Sequence, residues 1–217
     1  MRGVQERSSI AGAGTQDCLS GQCIIFTQGP TATFKTRLTA YLGECLGVQV
    51  VATHQAGKIT NKGVLDHAKR ADRYKRLLNR ARAIVGNGKS VILDGVFDEL
   101  RWRQVVYGLA GDSGAQVIVI ATRCDSPNLI EARLRQRAEN SDLPDSEMAD
   151  LWFWNLTSEA IAASPVAGDD DFISLRGELI TFETGTNRNV TCSPGASTNA
   201  ELVAQLIEAS PLMACRP

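Results

Sequence analysis

Apolar residues fall along this chain in two alternating patterns: short continuous runs, and longer stretches that repeat every three to four positions. The runs cover 23–27, 48–52, 91–93, 117–121 and 179–182. Such unbroken apolar segments are those of strands buried on both faces. Between the first two runs, Leu38, Tyr41, Leu42, Cys45 and Leu46 recur at i, i+3, i+4, i+7 and i+8, which predicts a helix from about Lys35 closed by Gly47. A long basic helix is expected around 65–85, another around 99–110, and a third opening at Ser126-Pro127, where Ser126 can cap and Pro127 has no donor to lose. A C-terminal helix opens with the capping box Thr198-x-x-Glu201. Strands alternating with helices predict an α/β fold, a five-stranded and mostly parallel sheet covered on both faces. Residues 1–20, rich in Gly, Ser and Ala, read as a flexible tail, 21–217 as one domain, and 163–171, with Pro165 and three consecutive aspartates, as a surface loop.

Charge and composition narrow the function. A chain of 217 residues with 43% hydrophobic content and net charge -1 lacks the basic surplus of a duplex-binding protein, so no nucleic-acid partner is expected. Its apolar runs fall short of the roughly 18 residues needed to cross a bilayer, and the first twenty residues lack the apolar middle of a secretory signal, which points to the cytoplasm and away from membranes. Six cysteines without a Cys-x-x-Cys pair read as reduced, buried thiols, and two histidines are too few for recognisable zinc spacing. There is no Gly-x-Ser-x-Gly elbow for a serine hydrolase.

The chemistry begins where the first strand meets its helix. Gly29-Pro30-Thr31-Ala32-Thr33-Phe34-Lys35-Thr36 fits G-x-x-x-x-G-K-[S/T] except at Phe34. Such a loop wraps backbone N–H groups around a β-phosphate at a helix N-terminus, sends the Lys35 amine to the β/γ oxygens and gives the Thr36 hydroxyl to magnesium. Arg37 follows directly. Gly88-Lys89-Ser90 has the same ending but precedes a strand, and Ala83 stands where the first glycine belongs. Phe34 replaces a glycine that tolerates positive φ, yet it keeps the N–H on which phosphate binding depends. A second element is Val91-Ile92-Leu93-Asp94-Gly95: strand C-termini of a parallel sheet share one edge, so Asp94 should face the phosphates and hold magnesium or accept a proton. A third is Arg133-x-x-x-Arg137, two guanidinium groups on one helix face that can stabilise a transferred phosphoryl group.

With these three pieces in order, the chain resembles the P-loop small-molecule kinases, a group that includes gluconate and shikimate kinases, chloramphenicol phosphotransferase and zeta toxins, and it looks closest to AAA-type predicted kinases. The resemblance runs over 23–183 and rests on GPTATFKT, VILDGVF with Arg103 downstream, and ARLRQR. It implies a P-loop NTPase three-layer sandwich with a small helical lid at about 133–150, ATP and Mg2+ as cofactors, and phosphoryl transfer to a hydroxyl of a small molecule. It also implies that the loop with Thr184, Gly185 and Arg188 lies by the adenine. Where many of these kinases carry an Asp after the second strand, this chain has Thr53-His54, which makes His54 a candidate base. Ten Lys or Arg face two acidic residues over 58–89, so Arg73 and Arg76 are candidates for an anionic acceptor, as is Arg103; a solvated face is the plainer account of that stripe. Trp152, Phe153 and Trp154 offer ring stacking or core packing. Two rival functions stay open: a nucleotide-binding protein without turnover, and a zeta-toxin-like kinase acting on a nucleotide sugar.

Overall fold

The computed structural model describes residues 18–53, 60–61, 64–65, 67–139 and 146–214. The first half of the chain runs β1 (Cys23–Gln28), α1 (Lys35–Leu46), β2 (Gln49–Ala52), a hairpin of β3 (Thr60–Asn61) and β4 (Val64–Leu65), then α2 (His67–Val85) and β5 (Val91–Asp94). The second half continues with α3 (Leu100–Ser113), β6 (Gln116–Arg123), α4 (Pro127–Glu139), α5 (Ser146–Ala163), α6 (Asp170–Ser174), β7 (Glu178–Glu183), β8 (Asn189–Cys192), α7 (Thr198–Glu208) and α8 (Pro211–Ala214). The main sheet has the order β2-β5-β1-β6-β7-β8. Its first five strands are parallel, and β8 pairs antiparallel with β7. The five expected strands are therefore present, and β8 adds a sixth.

The continuous apolar runs are explained by what covers each face. Successive side chains of a strand point to opposite sides, so Ile24 and Phe26 of β1 pack with Tyr74, Leu77, Trp102 and Val106 from α2 and α3. Cys23 and Ile25 pack on the other side with Leu38, Leu42, Val203 and Ile207 from α1 and α7. Truncating a fully buried residue such as Ile25 to Ala costs about 2–5 kcal/mol. Gly47 ends α1 in the left-handed region at φ 69°, its N–H donating to Gly43 O.

Four expectations need correction. The tail is anchored before residue 21: Leu19 is buried, and the Ser20 amide donates to Asn199 Oδ1; residues 1–17 lie outside the described residues. The cap of α7 is Ser197, whose hydroxyl accepts from the Ala200 N–H, one residue earlier than the Thr198 box. Residues 163–171 are only in part a surface loop: most of them are exposed, but Val166 of the 3-10 turn (Val166–Gly168) and Asp169 are buried, and Asp169 is bonded to Arg103 of α3. The thiols are not uniformly buried: Cys23 is, whereas Cys18 and Cys45 are exposed, and none of the five described cysteines is in a disulfide. Among the described residues no helix is long and apolar enough to cross a membrane.

Candidate functional site

The parallel strands deliver the ends of β1 and β5 to one edge, and side chains tie the two ends together. Thr27 Oγ1 donates to Gly95 O at 2.9 Å, Gln28 Nε2 to Phe97 O at 3.3 Å, and the Gly29 N–H to Val96 O at 3.2 Å. Gly29 is required here, since a Cβ would lie 2.1 Å from Thr122 Oγ1. The turn that follows is pinned by Thr33 Oγ1, which donates to Pro30 O at 2.8 Å and lies 2.7 Å from Thr122 Oγ1. Ala32 and Phe34 both have left-handed backbone, at φ 61° and 63°. A side chain in that region costs about 1–2 kcal/mol, so Phe34 holds the glycine conformation of the motif under strain.

Lys35 and Thr36 open α1 immediately after this turn. Lys35 is buried, and its ammonium folds back over the loop to donate to Pro30 O and, at 3.5 Å, to Thr33 Oγ1. Burial pushes its pKa down to about 8, partly offset by Asp94 and reinforced by Arg137. The Thr36 hydroxyl donates to Asp94 Oδ2 at 2.7 Å, and Asp94 is buried at the end of β5, where its carbonyl accepts from the Thr53 N–H. An alcohol oxygen and a carboxylate oxygen this close form a hard-oxygen pair of the kind magnesium takes while keeping several waters. The donor set fits the ion.

Arginines surround the mouth of the loop. Arg133 of α4 donates to Ala32 O at 3.1 Å and to Thr184 O at 2.5 Å, bridging the loop to the segment after β7. Arg137 donates to Thr31 Oγ1 at 3.3 Å. The Phe34 ring sits among three guanidinium groups, with Arg133 at 4.2 Å, Arg188 at 5.5 Å and Arg37 at 5.8 Å from its centroid. Each such contact contributes about 0.5–1 kcal/mol when exposed. Thr184 is fully buried, and Gly185 donates its N–H to Glu183 Oε1. The structure thus gathers Gly29 to Arg37, Asp94, Arg133, Arg137, Thr184 and Arg188 into one neighbourhood.

Other expected residues lie elsewhere. Arg103 is fully buried and its N–H groups are committed to Asp169, Phe97 O, Asp98 O and Ser164, so it clamps the fold and has no donor to spare for a substrate. Arg76 points to solvent and pairs with Asp72 at 2.8 Å, four residues earlier on the same helix. Arg73 is buried on the apolar side of α2. His54 lies outside the described residues, as do 140–145 of the expected lid. Sequence reasoning overlooked Arg70, which is buried and paired with Asp98 and, at 2.7 Å, with Glu99. Its signal was present in Asp98-Glu99 directly after the VILDGVF strand end, two acidic residues available to the strongly basic helix over 65–85. Phe153 is packed near Arg70, 5.9 Å from its guanidinium, whereas Trp152 is exposed.

A turn between β1 and α1 with the left-handed backbone of a phosphate loop, flanked by Lys35, Thr36, Asp94 and arginines, belongs to a P-loop kinase-like fold. The chain belongs to the AAA domain family, whose model matches residues 24–152. It is 30% identical over 135 residues to the uncharacterized protein Rv2004c of Mycobacterium tuberculosis, a match that covers 56% of this chain and 27% of that protein. The chain therefore spans about a quarter of the length of the curated relatives it matches. Among solved structures it is similar to a kinase candidate from Chloroflexus aurantiacus, with TM-score 0.58, 18% identity and coverage of 87% of this chain and 98% of that one. It is also similar to a gluconokinase from Sinorhizobium meliloti, with TM-score 0.50, 12% identity and coverage of 88% and 92%. A third similar structure comes from the PezAT toxin-antitoxin system of Streptococcus pneumoniae, with TM-score 0.57, 11% identity and coverage of 86% and 78%. At these identities the likeness is one of fold.

Proposed function

We propose that this protein is an ATP-dependent phosphotransferase that moves the γ-phosphoryl group to a hydroxyl of a small molecule. The observation that supports it most is the Thr36–Asp94 pair at 2.7 Å beside the buried Lys35. On this reading, the amides of 30–36 and the α1 N-terminus receive the β-phosphate, and Lys35 exchanges Pro30 O for phosphate oxygens. Thr36 and Asp94 hold Mg2+, which supplies positive charge against the phosphate oxygens. Arg133 and Arg137, already bonded to the loop from α4, stabilise charge on the peripheral oxygens in transfer. The acceptor hydroxyl loses its proton to Asp94 or His54, its oxygen bonds to the γ-phosphorus, and the bond to the β–γ bridging oxygen breaks to leave ADP. Arg70 is neutralised by Asp98 and Glu99, which leaves Arg73, buried on α2, as the candidate for meeting an anionic acceptor.

A second reading, nucleotide binding without turnover, draws on the strain at Phe34. One experiment separates the two: labelled ATP is incubated with the chain and a panel of sugars, hydroxy acids and nucleosides. Acceptor-dependent ADP formation that disappears in Asp94→Asn supports transfer. ATP binding with no ADP formed on any acceptor supports the second reading.

A further inference from the structure

Phe34 is bound into the loop more closely than a tolerated substitution requires. Its ring is met by guanidinium groups from three separate elements: Arg37 on α1, Arg133 on α4 and Arg188 between β7 and β8. Arg133 is also tied to Ala32 O and Thr184 O, and Arg188 donates to Leu212 O at 2.5 Å, so neither guanidinium is at liberty to move aside. A ligand seated in the turn by its phosphates carries, if it is a nucleotide, a planar base with a π-face. Flat cationic groups stack on such faces. The guanidinium groups of Arg133 and Arg188 already meet an aromatic ring, at 4.2 and 5.5 Å from its centroid, and that ring is covalently attached to the loop itself.

We infer that the Phe34 ring takes the place of a nucleobase against Arg133 and Arg188, so that the phosphate loop accepts base-free polyphosphate on terms comparable to nucleoside triphosphate. This rests on the phosphate-loop reading above and adds the class of ligand the loop selects. A base entering the site must displace the ring or forgo the stacking contact; a bare polyphosphate chain needs neither. Phe34 is thus a specificity residue that lowers discrimination between ATP and inorganic tripolyphosphate.

The test is calorimetric titration of the native chain, Phe34→Gly, Phe34→Asn and Lys35→Ala with Mg-ATP and with Mg-tripolyphosphate. Relief of backbone strain in Phe34→Gly acts on both ligands alike and leaves the ratio of their Kd values unmoved, whereas loss of the ring acts on ATP alone. Asn also tolerates the left-handed region, so agreement between the two variants isolates the ring. The native chain should bind the two ligands with Kd values within about threefold of each other, and both Phe34 variants should shift the ratio toward ATP by about tenfold. An unchanged ratio in both variants overturns the inference, and so does a shift toward tripolyphosphate, which would make the ring a platform for the base. In either of those cases binding that is lost in Lys35→Ala keeps the phosphate-loop reading intact. Binding of neither ligand to the native chain overturns both.

Discussion

Arg103 on α3 and Arg133 on α4 carry the same side chain into opposite circumstances. Arg103 is fully buried and bidentate to Asp169, with Tyr107 donating to the same carboxylate. Burial works against its charge, but the Asp169 bonds outweigh it and hold its pKa above the usual arginine value. Arg133 is partly buried and bonded to two carbonyls, a hydroxyl and a thiol. Burial and the nearby Arg188 push its pKa below the usual value. One cation is already neutralised by a fixed carboxylate; the other is held by groups that are formally neutral, and an arriving anion can still stabilise it. The difference separates an arginine that holds the fold from one placed to meet a ligand.

The contrast breaks most visibly at Arg103. Arg103→Ala strands the buried Asp169 and should cost about 3–5 kcal/mol of stability, a drop in melting temperature on the order of 10 °C for a chain of this size. Thermal unfolding checks it, and an unchanged melting temperature would remove the clamp. Arg133→Ala should do the reverse, with little change in melting temperature and a loss of about tenfold or more in Mg-ATP affinity. The smallest effect concerns pH. Because burial lowers the Lys35 pKa to about 8, the unliganded chain loses that proton above about pH 8, while a bound phosphate favours the ammonium. Between about 8 and 10.5 ligand binding should therefore take up a proton and weaken as pH rises. The unfolded chain holds more protons than the folded one in that window, so the same group makes stability rise with pH there. Titration in two buffers of different ionisation enthalpy reads the uptake, and Lys35→Arg should abolish it.

Much of this was legible along the chain, and the failures have physical causes. β1, β5, β6 and β7 announced themselves because both faces are covered, which forces continuous apolar runs. β8 did not, as a four-residue edge strand with every position at least partly exposed needs no such run. The turn at Phe34 was readable because the motif asks for a glycine there, and the left-handed backbone that glycine would supply is present. Arg103 misled because its partner Asp169 lies 66 residues away, and nothing local distinguishes a clamped arginine from an available one. Ser197 and Thr198 are both hydroxyl residues, and only the geometry of the chain entering α7 decides which caps it.

In the function proposed above, the turn from Gly29 to Thr36 receives phosphate through its amides and Lys35. Calorimetric titration of the native chain and of Lys35→Ala with Mg-ATP tests it most directly. Saturable binding by the native chain, weakened at least about tenfold in Lys35→Ala with an unchanged melting temperature, is the predicted result. Equal binding by the two chains, or no binding by the native one, would contradict it.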